Sequence, residues 1–86
     1  MKFRVESLYE IDAQPVVLAT RLGTTEFSLA RSAEPRLGGI RIRNFAEEVR
    51  RFRPDGTPDF DVFAFVLDNR RDKERFSVGQ IVELEP

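Results

Sequence analysis

The segment 60–67 (Phe-Asp-Val-Phe-Ala-Phe-Val-Leu) constrains the fold of this 86-residue chain more than any other. Only Asp61 interrupts a run of phenylalanine, valine, alanine and leucine, so both faces of the segment are apolar. A short run of this kind is typical of a strand that is buried on both sides. We therefore expect a β-sheet core and not a helical bundle.

The rest of the chain contains further segments with the composition or alternation of strands. In residues 3–11, apolar and charged side chains largely alternate, except at Leu8, which suggests a bulge or a twist near the end of the strand. Residues 37–43 alternate again and contain two adjacent glycines, which favour a sharp bend. The predicted strands besides 60–67 are residues 3–11, 16–22, 26–30, 37–43 and 81–84.

One short helical insert is predicted between two of these strands. Asn44 has the chemistry of a helix N-cap, and Phe45, Val49 and Phe52 follow at helical spacing. The alternative is a strand end that imitates this spacing. After the insert, residues 53–56 (Arg-Pro-Asp-Gly) have the composition of a tight turn.

Six short strands and one small insert in a chain of this length favour a closed barrel, because closure removes exposed strand edges. We predict an all-β fold with a single domain over residues 1–86, and 86 residues suffice for one core only. The side chains expected inside the barrel are Phe3, Val5, Val17, Ile42, Phe63, Phe65, Val66 and Ile81.

The composition removes most catalytic chemistry. The chain has no cysteine and no histidine, which excludes disulfides, thiolate nucleophiles and the commonest general base and metal ligand. The carboxylate pairs Asp59/Asp61 and Glu47/Glu48 have too few ligands around them for a metal site, and no phosphate-binding loop is present. We expect no enzyme activity, no cofactor, no metal and no nucleotide binding.

The longest apolar run, residues 62–67, is too short to cross a bilayer, and the N-terminus lacks a signal-peptide core. We expect a soluble cytoplasmic protein that does not bind membranes. The formal net charge of −1 argues against attraction of nucleic acid by the surface as a whole.

Several segments resemble one barrel family. Residues 3–11 read Phe-Arg-Val-Glu-Ser-Leu-Tyr-Glu-Ile, where the family has Phe-x-Val-Glu-Asp-Val-Phe-x-Ile. Residues 17–22 resemble its Val-Val-Thr-Gly-Arg-Val, and residues 42–45 resemble its Ile-Glu-x-Phe. Residues 60–68 resemble its Gly-Asp-x-Val-Gly-x-x-Leu-x-Gly, and residues 76–82 resemble its connector and closing Arg-Gly-x-Val. The chain thus resembles the second, β-barrel domain of translational GTPases of the elongation factor Tu type, without the GTPase domain.

The resemblance implies a six-stranded Greek-key barrel of the translation-factor domain II type. In the full-length factors this barrel contacts the aminoacyl end of tRNA and ribosomal RNA. Residues 23–27 (Gly-Thr-Thr-Glu-Phe) are shorter than the family's Gly-x-x-x-x-Gly-Asp element. This difference prevents a transfer of either RNA contact to the present chain.

The candidate binding residues are arginines, because arginine beside aromatic side chains suits phosphate contact and base stacking. They are Arg41, Arg43, Arg50, Arg51 and Arg53. The competing interpretation is that Phe45 and Phe52 plug the barrel end while the arginines face water. We expect a stand-alone binding module with a protein partner, and RNA or the ribosome as the alternative partner.

Overall fold

A computed structural model describes residues 1–23, 34–48 and 51–85. These residues form six strands and one 3₁₀ helix, which confirms the predicted all-β barrel. The order around the closed barrel is β1-β2-β5-β4-β3-β6, with β6 paired to β1. The elements are β1 (Lys2–Ile11), β2 (Gln14–Leu22), β3 (Arg36–Leu37), β4 (Ile40–Glu47), β5 (Val62–Leu67), the 3₁₀ helix (Arg70–Arg75) and β6 (Ile81–Glu85).

Of the bulge and the twist that Leu8 suggests, β1 contains a bulge, which lies in the middle of the strand and not near its end. The register between β1 and β2 shifts between Val5 and Ser7, so the inward-facing positions change from odd to even residues. Phe3 and Val5 are buried before the shift, and Leu8 packs against the core after it. The bulge explains why Leu8 interrupts the sequence alternation.

The segment 37–43 is a hairpin and not the single strand that we predicted. Gly38 and Gly39 have φ angles of 59° and 80° and form the two-residue turn between β3 and β4. The two-residue turn whose twist matches that of the flanking strands needs a positive φ at both residues. Glycine adopts a positive φ without steric strain. A methyl group on Gly38 would also lie 3.3 Å from Val82 Cγ1, so this position is tightly packed.

The predicted helical insert beginning at Asn44 is wrong. Residues 44–47 belong to β4 and pair with β5, Phe45 lying opposite Phe65. The helix was predicted from the spacing of Phe45, Val49 and Phe52, but Phe45 lies within β4 and Phe52 forms an isolated bridge with Pro58. The helical element lies instead at Arg70–Arg75, where the Asn69 side chain accepts a hydrogen bond from the Arg71 amide.

The barrel interior is built on three phenylalanines. Phe3 contacts Phe63 and Phe65 edge to face, with ring centroids 5.8 and 5.0 Å apart. Phe3 and Phe65 are fully buried. The same interior contains Val5, Val17, Ala19, Leu37, Ile40, Ile42, Leu67, Phe76, Val82 and Leu84.

Two of the predicted core residues are placed differently. Val66 is only half-buried, because it projects from the outer face of β5. Ile81 is 51% exposed, whereas Val82 and Leu84 are buried, so the inward face of β6 is the opposite of the one predicted. The strand predicted at residues 26–30 lies outside the described residues.

No helix in the described ranges is long and apolar enough to span a membrane.

Candidate interaction arm

A short hairpin projects between β4 and β5, and we call residues 51–61 the arm. The Arg53 amide donates to the Thr57 carbonyl at 2.8 Å, and the Asp59 amide donates to the Arg51 carbonyl at 2.9 Å. Between these bonds, Phe52 lies opposite Pro58 as an antiparallel bridge. A hairpin with only three residues in each strand is too short to be stable by itself, so the arm depends on its attachment to the barrel.

The tip of the arm is the tight turn predicted from the Arg-Pro-Asp-Gly sequence. The Gly56 amide donates to the Arg53 carbonyl at 2.9 Å, and Gly56 adopts a φ of 87°. The Asp55 carboxylate accepts hydrogen bonds from the Thr57 amide (3.0 Å) and the Thr57 hydroxyl (2.6 Å). The hydroxyl bond is the main cause that lowers the pKa of Asp55, so the carboxylate at the tip stays ionised.

The two faces of the arm differ in polarity. Side chains that lie directly opposite each other on antiparallel strands project to the same side, so Phe52 and Pro58 share a face. The neighbouring positions Arg51, Arg53 and Asp59 project to the other side. Phe52 is 64% exposed, and Pro58 is exposed as well. The apolar face of the arm is therefore open to water.

The polar face anchors the arm to the barrel through Asp61. The Asp61 carboxylate accepts from Arg21 Nη2 at 2.6 Å and from Arg53 Nη2 at 3.3 Å. The Arg21 amide also donates to the Asp61 carbonyl, and the Asp59 carboxylate accepts from the Asp61 amide at 3.0 Å. Arg21 belongs to β2 and only 18% of its side chain is exposed, so one carboxylate joins the arm to a rigid strand.

Phe60, at the base of the arm, is a second exposed phenylalanine. It follows Pro58 by two residues and is 61% exposed, although the sequence places it at the start of the predicted buried strand. The strand begins only at Val62. Phe52 and Phe60 thus lie on one short segment, and a group of exposed apolar side chains indicates a contact surface better than a single one does.

The structure divides the predicted arginines between two places. Arg41 and Arg43 lie on the outer face of β4, and Arg51 and Arg53 lie on the arm. Arg41 pairs with Glu34 at 2.9 Å, and Arg53 pairs with Asp59 and Asp61. Arg43 and Arg51 form no salt bridge to another residue of the described segments. Arg50 lies outside the described residues.

Sequence reasoning missed Arg36, which stands directly across from Arg41 on β3. Its guanidinium donates to the Gly39 carbonyl at 3.4 Å. A hairpin turn at Gly38-Gly39, which the glycine pair could have indicated, places Arg36 and Arg41 side by side. The exposure of Phe60 was also missed, because the apolar run of residues 60–67 predicts a buried strand from its first residue.

The competing interpretation placed both Phe45 and Phe52 at the end of the barrel, but only Phe45 packs against the core. Phe45 is half-buried and stacks on Phe65, with ring centroids 5.9 Å apart. Phe52 points away from the interior. Val49, the third member of the predicted apolar face, lies outside the described residues.

Two further carboxylates outside the arm are held in ionised form. The Thr20 hydroxyl, with Arg4 in addition, lowers the pKa of Glu6 against the opposing effect of burial. Lys73 and Arg70 lower the pKa of Glu10 and connect the 3₁₀ helix to the end of β1. The described residues include no cluster of three or more acidic side chains placed to hold a metal ion.

Comparison of the chain with protein-family models, with curated proteins and with solved structures finds no match.

Proposed function

We propose that this chain is a non-catalytic, stand-alone β-barrel module that binds another protein through the apolar face of the arm. The observation that supports this function is the exposure of Phe52 and Phe60 on an element fixed by the Arg21–Asp61–Arg53 contacts. An aromatic side chain on a preorganised support binds with little loss of conformational entropy. The proposal includes a cytoplasmic location, which the cysteine-free composition supports.

The charge of the arm favours protein over RNA as the partner. Residues 51–61 contain two arginines against three aspartates, which leaves one net negative charge. Arg53, one of the two described arginines beside Phe52 in sequence, is occupied by two carboxylates. Phosphate binding needs a positive surface, and the arm does not offer one.

RNA or ribosome binding stays the second candidate function, and a different surface supports it. Arg36, Arg41 and Arg43 are exposed together on the outer side of the β3–β4 hairpin.

The resemblance to the translation-factor barrel is a proposal as well. The strand order supports it, because β3, β4 and β5 are consecutive neighbours and β2 lies beside β5, as in a Greek key.

Affinity capture from the source organism, quantified by mass spectrometry, tests the function. The wild-type chain is compared with Phe52→Ser/Phe60→Ser and with the matched control Ile11→Ser/Val78→Ser, which changes two exposed apolar residues away from the arm. We expect specific protein partners that the arm variant loses and the control keeps. Each captured partner is then purified and titrated against all three proteins.

Capture that is the same for all three proteins would refute the arm as the binding surface. Capture of RNA, with an affinity that falls steeply with salt and is lost in Arg36→Gln/Arg41→Gln/Arg43→Gln, would favour the second candidate. Each phosphate contact contributes about one unit to the salt slope.

A further inference from the structure

The tip of the arm contains an aspartyl-glycine pair, Asp55-Gly56. Asp55 is the only aspartate or asparagine in the 86-residue sequence that glycine follows. In such a pair the amide nitrogen of the glycine can attack the aspartate side chain, because no Cβ on the glycine obstructs the approach. Both residues are exposed, so water reaches them. This reaction therefore meets less steric hindrance at Asp55 than at any other aspartate of the chain.

The reaction rearranges the main chain with water as the only other reactant. The Gly56 nitrogen loses its proton and bonds to Cγ of Asp55, and the carboxylic acid form of Asp55 loses its hydroxyl, so that a water molecule leaves a cyclic imide. Water then adds to the imide and opens the ring. Opening at the carbonyl that came from the backbone leaves isoaspartate, in which the main chain runs through Cβ and Cγ and is longer by a methylene group.

The closed turn opposes the first step in two ways. The Gly56 amide donates its proton to the Arg53 carbonyl at 2.9 Å, so the nitrogen is not free to attack. The Asp55 carboxylate accepts from the Thr57 amide at 3.0 Å and from the Thr57 hydroxyl at 2.6 Å, which holds it against Thr57. These hydrogen bonds, the hydroxyl bond first, lower the pKa of Asp55 and so reduce the fraction of the carboxylic acid that can lose water.

We propose that Asp55 is a site of spontaneous isomerisation to isoaspartate, which the closed turn suppresses and which proceeds when the arm opens. The arm is suited to local opening, because its hairpin is short and depends on the contacts of Asp61. This inference does not depend on the proposed function, since it concerns the covalent state of the tip.

The modification should disable the arm and spare the barrel. The added methylene group moves Arg53 and Thr57 apart and breaks the hydrogen bonds that close the turn. Residues 53–57 are exposed and lie outside the core, so the packing of the barrel interior does not change.

Peptide mapping after incubation tests the proposal, with isoaspartate identified by electron-transfer dissociation mass spectrometry. The samples are the native wild type, the wild type unfolded in urea and native Thr57→Val, all at neutral pH and physiological temperature. Thr57→Val keeps the backbone amide and removes only the hydroxyl that donates to Asp55. Asp59, which Phe60 follows, is the internal control in every sample.

We expect isomerisation at Asp55 and not at Asp59, fastest in the unfolded wild type and slowest in the native wild type. In native Thr57→Val the rate should rise about two- to tenfold, because it follows the open fraction of the arm and a hydrogen bond that closes the tip is lost. The purified isoaspartate form should keep the cooperative thermal transition of the barrel, while amide exchange at Arg53 and Asp59 accelerates.

The proposal is overturned if Asp55 stays unmodified in the unfolded chain, or if Asp59 isomerises as fast as Asp55. Equal rates at Asp55 in the native and unfolded wild type would also overturn it, and this comparison decides the matter even if Thr57→Val does not fold. A folded Thr57→Val with the wild-type rate would refute the protection by Thr57. Wild-type amide exchange at Arg53 and Asp59 in the isoaspartate form would refute the effect on the arm.

Discussion

Glu6 shows how one side chain at an irregular position acquires a defined role. It stands in the bulge of β1, where its carboxylate accepts from the Thr20 hydroxyl at 2.9 Å and from Arg4 Nε at 3.1 Å. The Thr20 bond, followed by Arg4, outweighs burial and lowers the pKa of Glu6 from its ordinary value of 4.5. The ionised form is therefore the one that stabilises the fold.

The first prediction is a pH dependence of stability. Because the pKa of Glu6 is lower in the folded state, ionised Glu6 stabilises the fold fully above about pH 4.5. This stabilisation is lost as the pH falls through the pKa that Glu6 has in the folded state. We expect Glu6→Gln to cost about 1 kcal/mol at pH 7, and the difference from wild type to disappear in acid. Urea denaturation at a series of pH values measures this. In Thr20→Val, an NMR titration should find the Glu6 pKa closer to 4.5; an unchanged pKa would contradict the assigned cause.

The second prediction separates the two phenylalanines that the sequence grouped together. Phe45→Ala should reduce the free energy of unfolding by about 1–2 kcal/mol, less than the cost for a fully buried ring, because Phe45 is half-buried on Phe65. Phe52→Ala should change it by less than about 0.5 kcal/mol. Urea unfolding of both variants measures this, and equal losses would show that Phe52 is part of the core.

At the scale of elements, hydrophobic spacing predicted most strands but failed at the end of β4. The helix was predicted because Phe45, Val49 and Phe52 stand at helical spacing. Phe45 instead pairs with Phe65 of β5, and Phe52 pairs with Pro58 in the arm, and only these pairings distinguish a strand followed by a hairpin from a helix. The β3–β4 hairpin was missed for a related reason, since β3 contains only Arg36 and Leu37 and has no periodicity of its own.

The third prediction concerns the attachment of the arm as an element. Asp61→Asn removes the charge that joins Arg21 to Arg53, and we expect a loss of about 1 kcal/mol, since the carboxylate is partly exposed. Amide hydrogen exchange at Arg53 and Asp59 should accelerate more than exchange in β5. The control Glu34→Gln breaks an exposed pair with Arg41 and should leave both amides unchanged. Equal acceleration throughout the barrel would show that Asp61 stabilises the fold and not the arm.

At the scale of the whole molecule, the closed barrel could be predicted because burial determines which segments become strands. Phe3, Val5, Val17, Phe63 and Phe65 were predicted inside and are buried. The arm could not be predicted, because its attachment depends on the contact between Asp61 and Arg21, which lie 40 residues apart in sequence. The segment is also too short for hydrophobic periodicity to predict which way its side chains point.

Closure of the barrel depends on β6, which pairs with β1 on one side and β3 on the other. Ile81 and Val82 are adjacent in this strand, but Ile81 is 51% exposed and Val82 only 5%. Val82→Asp would place a carboxylate without a partner against Phe3, at a cost of several kcal/mol.

The total stability of a domain of this size is about 4–13 kcal/mol, so we expect Val82→Asp to lose its cooperative thermal transition at neutral pH. Ile81→Asp adds the same charge to the outer face and should unfold cooperatively near the wild-type temperature. Differential scanning calorimetry of the pair measures both outcomes. A cooperative transition in Val82→Asp near the wild-type temperature would mean that the barrel persists without a tightly closed β6 seam. Unfolding of Ile81→Asp would instead place Ile81 inside, where the sequence alone predicted it.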